Sequence, residues 1–318
     1  MNYSIAFFSE IQFTPKTKIS RTHKNLRTDL SWMVSLEAVC HTINFDSIVT
    51  DPAKYDIAMV IIPKYRPDMQ QLLLENIDNM KKRFKKVICI QEGPADLIHD
   101  FETAQQFAYL KLLKKFDAMF CHNQKDKKYF QFLLNKECYV IPTLMIDNLI
   151  QDLHKPKILD KNKKIKIMIS GNIGNWYHAL DSYVAVEELK KEYDIDAYCV
   201  TMGRKSKDEQ NFTNYRYVPY VDWSSWMRLL SNMDFGINAT RRTGAETFNL
   251  NCKYLGIPTF SRFNLYPDIN VDYRDEFKYI INNYEQLSER EIIDYDDNYS
   301  EEWFLVSMEK DLTKILNT

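Results

Sequence analysis

Short apolar segments alternate with amphipathic ones along most of this chain, and this alternation limits the possible folds more than any other feature. In the first half, apolar segments of strand length stand at 3–8, 56–62, 87–90, 118–121 and 138–141. Helical periodicity predicts helices at 29–43, 67–84, 101–114 and 125–134. Short buried strands that alternate with helices are typical of βα units, in which helices cover both faces of a parallel sheet.

The alternation starts again after a polar and basic segment. Residues 151–163 read QDLHKPKILDKNK, which is typical of an interdomain linker. The pattern beyond it predicts strands at 165–169, 197–201, 215–218, 235–238 and 259–261, and helices at 178–193, 223–231, 247–255 and 301–316. A chain of 318 residues has the length of two domains of about 150 residues each. The sequence therefore predicts an α/β protein with two Rossmann-like parallel-sheet domains, at 1–150 and 164–298, and a terminal helix at 299–318 that crosses back to the first domain.

Composition and charge exclude several classes of function. The formal net charge of −2 argues against a general binder of nucleic acid or membrane surfaces, although a local basic patch stays possible. The six cysteines form no CxxC pair, and four lie in apolar runs, which indicates buried free thiols in a reducing compartment. The N-terminal residues lack the pattern of a signal peptide, and no apolar run approaches the ~20 residues of a membrane span. We therefore expect a cytoplasmic protein without a transmembrane segment.

Several of the seven glycines stand where the second half could approach a ligand closely. Gly171 and Gly203 follow predicted strands, Asn172 stands next to Gly171, and Gly244 precedes a predicted helix. In a parallel sheet, ligands bind beyond the carboxyl ends of the strands. Glycine there lets the backbone approach the ligand, and the next helix N-terminus offers free N–H groups to a phosphate. Each glycine taken singly fits an ordinary tight turn equally well.

Basic side chains accompany these glycines. They are Arg204 and Lys205 after Gly203, and Arg241 and Arg242 before Gly244. Arginine suits bidentate contact with phosphate, so the set predicts a diphosphate site, whereas any one of these charges could belong to a solvated loop. Glu246 stands at the start of the next predicted helix. It either interacts favourably with the helix dipole or accepts hydrogen bonds from a ribose or sugar hydroxyl.

The second half resembles the C-terminal domain of GT-B glycosyltransferases, of the group that contains glycogen-synthase-like and many bacteriophage members. The resemblance lies in the segments SGNIG, TMGRK, VPYVDW, LLSNMDFGINAT and TGAETFNLNCKYLGIPTF, and covers roughly residues 164–261. It implies two domains that face a cleft, with a nucleotide-sugar donor bound against the second domain. It also implies a reaction that needs no metal or other cofactor.

The sequence departs from this family at the sugar-binding turn. The family usually carries two glutamates eight positions apart around the sugar-binding turn. Counting back from Gly256, Thr243 and Asn251 stand at those positions, and Glu246 is out of register. From the resemblance we still expect Thr243, Glu246 and Asn251 to contact the nucleotide-sugar. A non-catalytic nucleotide- or sugar-binding relative stays an alternative, as does a sugar-nucleotide epimerase of GT-B shape.

Two residues of the first half are predicted to be catalytic. Glu92, in QEGP, directly follows a predicted buried strand, and a carboxylate there could deprotonate an acceptor hydroxyl. It could equally be a turn or helix-capping carboxylate. His122 ends the next predicted strand, where a histidine is either structural or opens on the cleft.

A basic segment follows the first strand. Residues 15–27 carry His23 and five lysine or arginine side chains: Lys16, Lys18, Arg21, Lys24 and Arg27. In a GT-B protein this loop borders the acceptor, and its charge would suit an anionic acceptor, either an acidic glycan or DNA. A mobile, solvated loop is the alternative.

The leading hypothesis is therefore a glycosyltransferase of the hexosyltransferase type. It would move a sugar from a nucleotide-sugar donor to a hydroxyl of a glycan or of a modified DNA base. The sequence has no DxD metal motif at a strand end, and basic residues with helix dipoles would neutralise the leaving diphosphate. A nucleotide-dependent dehydrogenase is disfavoured because SGNIGN lacks a full GxGxxG and its downstream ribose acid.

Overall fold

The chain forms two compact α/β units, each built on a parallel sheet. The structure, a computed structural model, describes residues 3–14, 16–51, 54–170, 180–200, 214–238, 244–261 and 273–318. The first unit comprises Met1–His23, Arg27–Ile146 and Glu301–Thr318, and the second comprises Lys24–Leu26 and Asp147–Ser300. The predicted fold class, two Rossmann-like parallel sheets flanked by helices, is confirmed.

The sheet of the first unit has six parallel strands in the order β2-β1-β3-β4-β5-β6. They are β1 (Ile5–Ser9), β2 (Val39–Thr42), β3 (Ile57–Ile62), β4 (Lys86–Gln91), β5 (Ala118–Cys121) and β6 (Cys138–Val140). All six residues of β3 are buried, as are all four of β5. Strands that are apolar without alternation have to be covered on both faces, which explains why these runs form interior strands of a parallel sheet.

Helices follow the strands of the first unit in sequence. They are α1 (Asp29–Ser35), α2 (Pro67–Lys81), α3 (Thr103–Lys115) and α4 (Gln124–Leu134), with a 3₁₀ helix at Ala95–Asp100 and a π-helix at Asp46–Thr50. Pro67 stands in the first turn of α2, where a missing N–H costs nothing. The C-terminal helix (Glu301–Asn317) also belongs to this unit, and it buries Phe304, Met308, Leu312 and Ile315.

The predicted helix at 29–43 is wrong in its second half. The helix α1 ends at Ser35, and Val39–Thr42 instead forms β2, which pairs in parallel with β1. Glu37 adopts a left-handed backbone conformation (φ 51°), and the N–H of Ala38 closes the helix end on the carbonyl of Met33 at 2.9 Å. The β-branched residues that follow favour an extended strand once the helix has ended.

The sheet of the second unit has five parallel strands in the order β11-β10-β7-β8-β9. They are β7 (Ile165–Ile169), β8 (Ile195–Val200), β9 (Tyr215–Val218), β10 (Phe235–Asn238) and β11 (Thr259–Ser261). The helices are α5 (Leu180–Leu189), α6 (Trp223–Leu230), α7 (Thr247–Tyr254), α8 (Tyr273–Asn282) and α9 (Tyr284–Asn298). The sequence did not predict α8 and α9. Many residues of these two helices are polar. The rings of Phe277 in α8 and Tyr284 in α9 pack against Phe235 in the core of the second unit.

Two further expectations concern cysteines and membrane spans. All six cysteines are free and buried, which confirms the expectation of buried free thiols. Within the described part of the chain, no helix combines the length and the apolar character that crossing a bilayer requires.

A buried tryptophan fixes α1 in the first unit. The ring of Trp32 is fully buried, and its Nε1–H donates to the carbonyl oxygen of Pro142 at 2.8 Å. Trp32→Phe keeps an aromatic ring but leaves that buried carbonyl without its donor. We expect a loss of about 1–3 kcal/mol in the free energy of unfolding, measured by denaturant titration. Trp303→Phe is the control, because Trp303 is 40% exposed. Equal stability of the two variants would contradict this assignment.

Candidate functional site

Charged and titratable side chains gather at the carboxyl edge of the first sheet. Glu10 follows β1, Lys64 follows β3, Glu92 follows β4 and His122 follows β5, while Asp29 opens the helix after β1. We call these five residues the carboxyl-edge cluster. Their charges act on one another, since Glu92 contributes to the raised pKa values of both Glu10 and Asp29. The carboxyl edge is the place where open parallel sheets bind ligands.

An ion pair holds Glu92 in place. The Nζ of Lys64 lies 3.0 Å from Oε1 of Glu92. Gly93 makes this arrangement possible, because it has a left-handed conformation (φ 82°) that favours glycine. A Cβ on Gly93 would lie 2.6 Å from Cδ1 of Leu97 and 3.0 Å from Cε of Lys64. The absence of a side chain at Gly93 therefore leaves space for the side-chain carbons of Lys64 next to this residue. The carboxylate of Glu92 remains 40% exposed.

Asp29 is the residue of this cluster that the sequence did not single out. Burial, followed by the negative charge of Glu92, raises the pKa of its carboxyl to about 6. The residue before it, Thr28, has a positive φ of 45°, which is uncommon for a β-branched side chain and costs of order 1–3 kcal/mol. In the sequence, an aspartate at a helix start indicates only an ordinary interaction with the helix dipole, so no local signal distinguished this one.

His122 is a buried, neutral histidine. It is 8% exposed, and burial together with the charge of Lys64 lowers the pKa of its imidazole to about 3. Its ring stacks on Trp32 with centroids 5.6 Å apart. Among the described residues, Nδ1 of His122 has no hydrogen-bond partner. An unpaired buried nitrogen of this kind usually meets a water or a ligand group.

Only three of the residues predicted to bind the nucleotide-sugar lie in the described part of the second unit. They are Gly244, Glu246 and Asn251. The others lie outside the described residues: Gly171, Asn172, Gly203, Arg204, Lys205, Arg241, Arg242 and Thr243. The role predicted for this set stays a prediction.

Two buried amides on α7 set the position of that helix. Asn249 accepts a hydrogen bond from Nδ2 of Asn238, the last residue of β10, at 3.0 Å. Asn251 is buried, and the two ends of its amide lie 3.0 Å from Nε1 of Trp226 and 3.2 Å from the carbonyl oxygen of Thr247. Because an indole N–H only donates and a carbonyl only accepts, we assign the amide oxygen to the Trp226 side and the amide N–H₂ to the Thr247 side. The helix α7 therefore begins near the carboxyl end of β10. Glu246, directly before it, is exposed and has a left-handed conformation (φ 49°).

Parts of the basic segment 15–27 have structural partners. Both terminal guanidinium nitrogens of Arg21, Nη1 and Nη2, donate to the carboxylate of Glu301 at 2.8 Å, and the hydroxyl of Ser35 donates to the same carboxylate. The carbonyl of Lys24 accepts from the N–H of Ser224, and Oδ1 of Asn25 accepts from the N–H of Trp223. The acceptor contacts predicted for this segment are not tested by these bonds and stay a prediction.

Acids and a histidine lie at the carboxyl edge of the first sheet. Within the described ranges, no group of three or more His, Cys, Asp or Glu side chains is placed to bind a metal ion. The carboxylates and the imidazole of the carboxyl-edge cluster can exchange protons and bind hydroxyl groups.

Comparison with known proteins identifies the architecture. No protein-family model matches the sequence, and no curated protein sequence matches it. Among solved structures, Anabaena Alr3699/HepE in complex with UDP aligns with a TM-score of 0.65 and 11% identity, over 98% of this chain and 100% of that one. A trehalose-6-phosphate synthase aligns with a TM-score of 0.58 and 13% identity, over 81% of this chain and 74% of that one. The fold is GT-B.

A third GT-B structure extends the likeness. Staphylococcus aureus TarM, in a complex that contains UDP, aligns with a TM-score of 0.56 and 12% identity. The alignment covers 82% of this chain and 55% of TarM, so the present chain spans about half the length of that protein. At these identities the likeness shows the GT-B fold alone. The resemblance of the second half to GT-B proteins, inferred from the sequence, is confirmed at this level.

The raised pKa of Asp29 has a consequence for stability. Above pH 6 the wild-type carboxylate is charged in a partly buried position, whereas below about pH 4 it is protonated in both the folded and the unfolded chain. Asp29→Asn removes the charge. We expect the variant to be more stable than the wild type by up to about 3 kcal/mol at pH 7–8, from the value of 1.36 kcal/mol per pKa unit. The gain should vanish as the pH falls from 6 to below 4.

Denaturant titrations at several pH values measure this difference. Glu302→Gln is the control, because Glu302 is an exposed acid in the first turn of the C-terminal helix. Its loss should cost no more than the helix-dipole interaction of about 0.3–1 kcal/mol. An Asp29→Asn variant that is less stable than the wild type at pH 8 would disprove the assignment of Asp29 as a destabilised carboxylate.

Proposed function

We propose that this protein is a glycosyltransferase that moves a sugar from a nucleotide-sugar donor to an acceptor hydroxyl. The observation that carries the proposal is the GT-B fold, which the chain shares with proteins whose structures hold UDP or UDP-2-fluoro glucose. The carboxyl-edge cluster adds support, because it offers three carboxylates and a neutral histidine at the edge of the sheet where ligands bind.

The second unit is proposed to bind the donor. Support comes from the resemblance of its sequence to GT-B proteins and from the position of α7, whose first turn begins near the end of β10. Arg204, Lys205, Arg241 and Arg242 would neutralise the leaving diphosphate together with helix dipoles, so that the reaction needs no metal. Gly171, Asn172 and Gly203 would let the backbone approach the diphosphate. Thr243, Gly244, Glu246 and Asn251 would lie near the sugar.

The first unit is proposed to bind the acceptor and to remove its proton. Glu92 and His122, both predicted as catalytic, lie in the carboxyl-edge cluster. The acceptor would be a glycan or a modified DNA base, with the basic segment 15–27 contacting an anionic acceptor. The six buried free thiols fit a reducing compartment, which supports our proposal of a cytoplasmic location.

A non-catalytic nucleotide- or sugar-binding protein is the second candidate. Thr243 and Asn251 stand where the family usually has glutamates, and the amide of Asn251 makes hydrogen bonds within its own unit. Both features fit a GT-B protein that binds a donor without transferring its sugar.

A screen of nucleotide diphosphates and nucleotide-sugars by thermal shift tests the donor site. A ligand at 100 times its dissociation constant should stabilise the folded state by about 2.7 kcal/mol. Arg204→Ala or Lys205→Ala should then weaken binding by about 1–3 kcal/mol, the scale of a charged hydrogen bond. The control is Arg290→Ala, because Arg290 is exposed on α9. Unchanged affinity in both single variants would remove these two residues from the site.

Turnover separates the two candidates. A transferase releases nucleoside diphosphate only when it has both a donor and an acceptor hydroxyl, and the glycosylated acceptor appears by mass spectrometry. Tight donor binding without any transfer, across glycan and DNA acceptors, would instead support the non-catalytic binding protein. A free isomer of the donor sugar-nucleotide would indicate an epimerase.

A further inference from the structure

Two helices of the first unit present large aromatic rings to solvent. Phe132 on α4 is 88% exposed, and Phe107 on α3 is 70% exposed. The next most exposed aromatic side chain among the described residues is Tyr279, at 61%. Single exposed apolar side chains are common on protein surfaces and need no explanation. Two rings that share one surface with charges of a single sign do need one.

The packing of α3 and α4 places both rings on one surface. Tyr109 of α3 and Phe130 of α4 are buried in the same core, so the two helices cover the same face of the first sheet. The Nζ of Lys136, which follows α4, donates to the carbonyl of Lys114 in α3 at 2.9 Å. Each exposed ring stands two positions from one of the two buried residues, which is about 200° around the helix axis. Both rings therefore point away from the sheet on neighbouring helices.

Half-buried apolar side chains lie between the two helices. Ala108 lines a groove between α3 and α2, and Leu110 stands about 200° further around the axis, on the side of α4. Tyr129 and Leu133 precede Lys136 by seven and three positions and share its side of α4, toward α3. We call the resulting set of apolar side chains the aromatic strip: Phe107, Leu110, Tyr129, Phe132 and Leu133.

Four exposed lysines accompany the aromatic strip. Lys111 and Lys114 follow Phe107 by four and seven positions, and each therefore shares its face of α3. On α4 the spacing is mirrored, since two further lysines precede Phe132 by four and seven positions; they are Lys128 and Lys125. Among the described residues, none of these four ammonium groups forms an ion pair.

The acids near this surface do not cancel its charge. Asp126 is 4% exposed and accepts a hydrogen bond from Nδ2 of Asn123 at 3.0 Å. Asp117 and Glu137 each form an ion pair with a lysine outside the set of four. Glu102 is exposed, but it stands before the first turn of α3, at the end of the surface. In a chain whose net charge is −2, the outer face of α3 and α4 is thus locally positive.

We propose that the outer face of α3 and α4 binds the surface of an anionic lipid bilayer. The four lysines would contact the anionic headgroups, and the rings of Phe107 and Phe132 would enter the boundary between headgroups and acyl chains. Duplex nucleic acid would attract the same lysines but would leave both phenyl rings in water, so the exposed rings favour lipid. The inference does not rest on the transferase function, because no residue of this surface belongs to the carboxyl-edge cluster.

Sedimentation of the full chain with lipid vesicles tests the proposal. The probes are vesicles of phosphatidylcholine alone and vesicles of phosphatidylcholine and phosphatidylglycerol in equal parts. The protein should sediment with the anionic vesicles and stay in solution with the neutral ones. Binding should weaken as the salt concentration rises, because salt screens the attraction between exposed charges.

Variants at the charged positions test which lysines carry the binding. Lys111→Ala and Lys128→Ala should each weaken binding to anionic vesicles by about fivefold, the usual effect of one lysine near such a surface. The control is Lys310→Ala, because Lys310 is an exposed lysine on the C-terminal helix. It makes the same change in net charge and should bind as the wild type does.

Variants at the aromatic positions test insertion into the bilayer. Phe107→Ser and Phe132→Ser should each weaken binding by about tenfold, since they remove apolar surface that the bilayer would bury. The control is Phe45→Ser, because Phe45 is 55% exposed elsewhere in the first unit. Circular dichroism shows whether each variant is folded, and the exposure of both rings leads us to expect that it is.

A fluorescent label reports insertion directly. The six native cysteines are buried, so Phe132→Cys supplies an exposed thiol for an environment-sensitive dye. Its emission should shift to the blue with anionic vesicles, whereas the same dye on Phe45→Cys should not respond.

Several results would overturn the proposal. The first is a failure to bind anionic vesicles at low salt, and the second is binding that none of the four variants weakens. Binding to duplex DNA that the lysine variants weaken and the phenylalanine variants do not, without binding to vesicles, would assign the surface to nucleic acid. A dimer in analytical ultracentrifugation that Phe132→Ser dissociates would make a second copy of the chain the partner instead.

Discussion

The burial of the interior strands of the first sheet on both faces is the constraint on which the rest of this structure depends. Strands such as β3 and β5 are apolar throughout, so their side chains have no room for charge on either face. Charged groups next to these two strands can lie only beyond the strand ends, and in a parallel sheet all carboxyl ends lie along one edge. The clustering of Glu10, Lys64, Glu92 and His122 follows from that arrangement, although these residues are far apart in sequence.

Within the cluster, the local backbone decides which charges meet. Gly93 turns the chain after β4 in a left-handed conformation, and the missing side chain leaves space for Lys64 beside Glu92. Thr28 takes a positive φ directly before α1, which fixes the point where Asp29 enters the helix. The well-packed remainder of the unit offsets the energy of this backbone strain. The buried ring of Trp32 and its hydrogen bond to Pro142 belong to that packing.

The sequence predicted the strands far better than the site. Uninterrupted apolar runs fix a buried strand whatever its neighbours, so β3 and β5 lie within one residue of their predicted positions. The strand β2 was missed because Val39–Thr42 continues the helical periodicity of α1, and only the left-handed turn at Glu37 separates the two. Glu92 and His122 were found because they directly follow strands. Asp29 was not, since its pKa depends on Glu92, 63 positions later in the sequence.

The second unit shows why the acid–base chemistry is proposed for the first. Asn251 stands where GT-B relatives usually have a glutamate, and its buried amide both accepts from Trp226 and donates to Thr247. A carboxylate could accept the indole hydrogen bond, but when ionised it could not donate to a carbonyl. Packing of α6 against α7 therefore favours the amide, and Thr243 likewise brings no charge. The carboxyl-edge cluster of the first unit holds Asp29, a carboxylate whose surroundings favour the protonated form.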